Sequence, residues 1–134
     1  SDPCFAAMRE ALSEMTTPSL TQIVAALVEA APAGTEIMVL NYPNPFSVGK
    51  GTNAEARTDA AMTELNILIS NAVSANQANA TSHDVVLTLV DIAPRFNKQG
   101  AKLTHIAEAT PDIHPNDAGY SAMVEALKKA YRRP

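Results

Sequence analysis

Cysteine is almost missing from this chain of 134 residues; Cys4 is the single one. One thiol excludes an internal disulfide framework and a multi-thiolate metal site. It leaves room for a plain buried thiol or for pairing outside these residues, so the compartment stays open. Long apolar runs are missing too. None approaches the roughly 20 residues that cross a membrane, and Ser1-Asp2-Pro3 carries no basic leader. We therefore expect no transmembrane segment and no signal peptide in these residues. Basic excess is also lacking. The formal net charge is −4, and phosphate binding needs a concentrated basic face, so nucleic acid is not an expected partner. The one basic cluster, Lys128, Lys129, Arg132 and Arg133, falls at the end of a helix, where cations offset the macrodipole. Of the three histidines, His83, His105 and His114, none pairs at metal-ligand spacing, so neither metal nor cofactor is expected.

What is present is an ordinary apolar content of 46%, enough for one compact domain over 1–134 with a sizeable core. Pro3 suits a helix start, with Phe5, Met8, Leu12 and Met15 at helical spacing. Thr17 and Pro18 read as an N-cap and first helical residue. Leu20, Ile23, Val24, Leu27 and Val28 then share a face up to the stop at Ala31-Pro32-Ala33-Gly34. Ile37 to Leu40 is apolar on both sides, as a strand buried in a parallel sheet would be. Asn41 to Gly51 reads as a loop. A long helix is predicted from Ala54 to Asn76, with Ala61, Leu65, Leu68, Ile69 and Ala72 as its buried stripe. Val85 to Val90 is a second strand. Asp91 to Thr110 reads as irregular apart from a turn near Leu103. A last helix starts near Asn116, with Tyr120, Met123, Val124, Leu127 and Tyr131 as its inward face.

Strand, long crossover helix, strand implies parallel pairing. Two strands alone would leave two open edges with apolar side chains on both faces. The sequence asks for more strands than it contains. They would come from an N-terminal segment, a second chain or an oligomer partner.

Among residues able to do chemistry, His114 stands out, in Pro111-Asp112-Ile113-His114-Pro115-Asn116-Asp117-Ala118-Gly119-Tyr120. It sits on a loop before a helix, stiffened by Pro115, with Asp112 two residues earlier. A general base needs its imidazole held in one tautomer by a partner on the other nitrogen, and a rigid loop with a nearby acceptor can supply that. A histidine before a helix is also a common surface or capping residue. His83 reads as a surface residue before a strand. Asp91, at a strand end, reads as a turn cap or as a cleft residue. Asn79-Ala80-Thr81 fits the glycosylation sequon. Asn41, Tyr42, Asn44 and Phe46 follow the C-terminal end of a strand, where open α/β sheets place ligands. Of these, Asn41, Tyr42 and Asn44 are the candidate substrate-binding residues.

The block from His114 to Tyr120, followed by an amphipathic helix, resembles the last motif of SGNH (GDSL-type) serine hydrolases. Glu36 to Phe46 and Val90 to Phe96 resemble the late strands and strand ends of that family's esterases and lipases, so the likeness spans nearly the whole chain. It implies a three-layer α/β/α fold with a parallel sheet, of which these residues are the C-terminal part. It implies hydrolysis of carboxylic esters, from small molecules or lipids, through a serine acyl-enzyme, with His114 as general acid/base. It also inclines toward a secreted setting.

Two departures qualify the likeness. The family's Gly-Asp-Ser nucleophile block and its Gly-x-Asn-Asp oxyanion block are missing. Ser47 in Phe-Ser-Val-Gly is no nucleophile elbow either. The expectation is that serine and oxyanion donors belong to an N-terminal half, as another segment or chain, and that these residues alone are inactive. The family's acid stands three residues before its histidine, where this chain has Pro111. Asp112 or a main-chain carbonyl then takes the orienting role. A non-enzymatic reading also stays open: an α/β module that binds a partner or self-associates through its strand edges.

Overall fold

The computed structural model describes residues 3–14 and 17–131. Ser1, Asp2, Met15, Arg132 and Arg133 lie outside the described residues, as do the side chains of Pro3, Cys4, Phe5, Met8, Thr17 and Pro18. The chain is mixed α/β and divides into two compact units, Ser1–Asn41 with Glu64–Leu89, and Tyr42–Thr63 with Val90–Pro134.

The first unit carries α1 (Pro3–Glu14), α2 (Thr17–Ala30), β1 (Glu36–Leu40), the later turns of α3 (Asn53–Ala75), α4 (Gln77–Ser82) and all but the last residue of β2 (Val86–Val90). The two strands pair in parallel as a two-stranded sheet. Gly34, at φ 81°, makes the turn into β1. Its N–H donates to Asp84 O at 2.7 Å, and Val86 N–H donates to Thr35 O at 2.9 Å, which sets the two strand starts side by side. Val24 and Val28 of α2 pack with Ala72, Val73, Ala80, Val85 and Leu87 as the core, flanked by Leu20, Ile37, Val39 and Leu89. Each fully buried aliphatic side chain of this kind is worth about 1.5–3 kcal/mol.

The helix expected to end at Asn76 ends one residue earlier. Asn76 is buried and donates its side-chain amide to Ala72 O at 2.9 Å and to Thr21 O at 3.1 Å. A side chain that takes up helix carbonyls competes with continuation of the ladder, and the chain restarts as α4. The apolar face of α2 is only half covered. Val24 and Val28 are buried, whereas Ile23 and Leu27 are 58% and 51% exposed.

The second unit holds the loop from Tyr42, the first turns of α3, α5 (Ala93–Phe96), α6 (Gly100–Leu103), a 3-10 turn (His105–Ala107) and α7 (Asp117–Ala130). The stretch read as irregular therefore contains three short helical pieces. Each is shorter than the span over which a 3.6-residue period can be seen. Phe96 and Ile92 are fully buried here. Gly100 lets the loop close on it: its N–H donates to Ser47 O at 2.8 Å, and a Cβ at this position would stand 2.2 Å from Pro45 O.

The inward face of α7 also differs from expectation. Tyr120, Val124 and Tyr131 are exposed, while Gly119 and Ala126 are buried and Ala122, Met123, Leu127 and Ala130 are half-buried. Close backbone approach decides this. A Cβ on Gly119 would lie 2.0 Å from Leu103 O, a separation only glycine permits.

Candidate active site

His114 projects from a loop clamped onto the end of α6. Thr104 and Pro115 form an antiparallel bridge. It is flanked by His105 N–H donating to His114 O at 3.1 Å and Asn116 N–H donating to Leu103 O at 3.0 Å. Pro115 thus occupies the position of the pair whose own N–H makes no cross-strand bond, so its missing donor costs the ladder nothing. Asp112 N–H adds a bond to His105 O at 3.3 Å.

Within this loop the structure brings Asp112 and His114 together. Asp112 Oδ1 accepts from the His114 main-chain N–H at 3.0 Å and lies 2.5 Å from His114 Nδ1. Of the two acceptors left open by the sequence, the ring faces the carboxylate. These two bonds, the main-chain one first, hold the Asp112 carboxyl below the usual carboxylate range. The imidazole side chain is 72% exposed. A ring whose Nδ1–H points at a carboxylate keeps the Nε2 lone pair free, which is the tautomer a general base needs. His105 forms its own pair with Glu108 through Nδ1. His83 is exposed at the end of α4, with Nδ1 2.9 Å from Asn79 O.

Asn41 belongs to the first unit and is buried; Tyr42 begins the second and is exposed. Asn44 is buried, and its side chain is spent on structure. Its Nδ2 donates to Thr58 Oγ1 at 3.0 Å and Asp59 Oδ1 at 2.6 Å, and its Oδ1 accepts from Phe46 N–H at 3.0 Å. Ser47 is fully buried, donating to Asn97 Oδ1 and accepting from Lys98 N–H. Asp91 is exposed.

One charged device escaped the sequence reading. Glu55 is buried and accepts from Gly49 N–H at 2.5 Å and Gly51 N–H at 2.7 Å. Both glycines have positive φ, 81° and 66°, which turns their amides onto one carboxylate. The Gly49 amide leads in holding the Glu55 carboxyl below its usual range; burial opposes it, and the amides of Gly51, Lys50 and Thr52 add to it. Thr52 Oγ1 accepts from Glu55 N–H at 3.1 Å. Thr-x-x-Glu at a helix start is a capping box, the signal that would have found it. The cleft at this turn, lined by Gly49, Thr52, Asp59 and Lys98 among others, is a capping structure around an already partnered carboxylate.

Among the described residues, no group of three or more His, Cys, Asp or Glu side chains is placed to hold a metal ion. No helix of the described residues is long and apolar enough to cross a membrane. The chain matches no protein-family model, no curated protein and no solved structure.

Proposed function

We propose that these residues are the histidine-bearing part of a serine-dependent carboxylic-ester hydrolase of the SGNH type, within a three-layer α/β/α sheet. One observation carries the reading: His114 Nδ1 lies 2.5 Å from the Asp112 carboxylate on an exposed, doubly clamped loop. In this role Nε2 of His114 takes the proton of a serine hydroxyl as that oxygen attacks the ester carbonyl. It then returns the proton to the leaving alkoxide as the tetrahedral intermediate collapses. Asp112 keeps the tautomer and offsets the imidazolium charge. The serine and the oxyanion donors come from a Gly-Asp-Ser-bearing segment outside these residues. The half-covered face of α2 and the edges that the two-stranded sheet leaves open among the described residues support the need for such a segment.

The test compares two proteins on p-nitrophenyl acetate. These 134 residues alone should give no turnover above background. The full parent protein should turn over, and His114→Ala should cut its kcat by about 1,000-fold or more. Activity of the isolated chain that depends on His114, or a parent enzyme indifferent to His114→Ala, would sink the reading.

A second reading rests on the same open edges and on exposed Ile23 and Leu27: a non-enzymatic module that self-associates. It predicts a stable oligomer in which His114 has no role.

A further inference from the structure

We propose that Asn116 is the positioning residue of His114, coupling two helix ends so that the ring meets Asp112. The proposal rests on the reading of His114 as a base, but its geometry is independent of it. Asn116 uses every polar group it has. Its side-chain Oδ1 accepts from Gly119 N–H at 3.0 Å and so caps α7. Its Nδ2 donates to Lys102 O at 2.9 Å and Thr104 O at 3.3 Å, and its main-chain N–H donates to Leu103 O at 3.0 Å. Three consecutive carbonyls at the C-terminal end of α6, which a short helix leaves without internal partners, thus converge on one residue. That residue stands two places after His114, with only Pro115 between them. Fixed at Asn116 on one side and at His105 on the other, the loop's main chain keeps His114 beside Asp112, whose carboxylate then meets Nδ1. The ring's tautomer is then set by a clasp that itself never touches the imidazole.

Ring nitrogen chemical shifts test this directly. In the chain labelled with 15N-histidine, long-range 1H–15N spectra report which nitrogen carries the proton of neutral His114. The Nδ1–H tautomer should dominate. Asn116→Ser and Asn116→Asp both keep an oxygen to cap Gly119 N–H but lose the Nδ2 bonds. In each, the Nδ1–H to Nε2–H ratio should fall about fivefold, the scale of one lost hydrogen bond, while the Gly119 amide stays protected from exchange. An unchanged ratio in both folded variants overturns the proposal. So does failure of both to fold, which would make Asn116 purely structural. No turnover enters this readout. An Asn116-dependent tautomer alongside a parent enzyme indifferent to His114→Ala would therefore reject the hydrolase reading and keep the clasp.

Discussion

Asp112 and Glu55 are both held by main-chain amides, which keep their carboxyls below the usual range. Asp112 takes the His114 N–H and ring; Glu55 takes the Gly49 amide first and its neighbours after it. A carboxyl whose pKa is depressed on folding contributes stability that is complete above its unfolded value. That contribution is lost as pH falls through the lower folded value. The two sites should therefore loosen in acid, below the usual carboxylate range, and not near neutrality. Followed by NMR, the amide proton of His114 should shift with a midpoint below that of a free aspartate, and Asp112→Asn should abolish this step. The amides of Gly49 and Gly51 should show a separate low step that Glu55→Gln removes. If the step that Asp112→Asn removes had its midpoint at or above the ordinary aspartate range, the geometry would be contradicted.

At the scale of the element, α7 meets α6 through glycine, and this reverses the usual sign of a substitution. Within a helix, alanine is favoured over glycine by about 1 kcal/mol. At position 119 the added methyl would stand 2.0 Å from Leu103 O and 2.9 Å from Pro115 Cβ. The oxygen is main chain and cannot rotate aside. Overpacking of this kind costs about 1–3 kcal/mol or more, so Gly119→Ala should destabilise the fold by roughly 2 kcal/mol in urea unfolding and disturb the His114 loop; a stabilised variant would refute the contact. The same junction explains what could be read in advance. The existence of α7 and its start at Asn116 were legible from local cues. Its inward face was legible only in part: Met123 and Leu127 are half-buried as expected, but glycine and alanine line the closest approach and the large apolar residues Tyr120, Val124 and Tyr131 do not. The pairing of Asp112 with His114 lay within two residues and was readable. The carbonyls at 102–104 that Asn116 gathers are a dozen residues away and leave no periodic trace.

At the scale of the whole molecule, the described residues carry more apolar surface than their own sheet covers. β1 and β2 each keep one unpaired edge among the described residues, and β1 is half-buried along its length. Ile23 and Leu27 of α2 remain more than half exposed. Large exposed apolar side chains and an open strand edge each favour association with another chain. The chain alone should then sediment as a concentration-dependent oligomer, and charged substitution at both positions, Ile23→Glu with Leu27→Glu, should move it toward monomer. Supplying a Gly-Asp-Ser-bearing segment should do the same to the unsubstituted chain while creating esterase activity, because the strands and the serine would arrive together. Monomer formation by that segment without activity would favour the non-enzymatic module. A chain that stays monomeric at every concentration, with nothing added, would show that two strands suffice and remove the physical ground for a missing part.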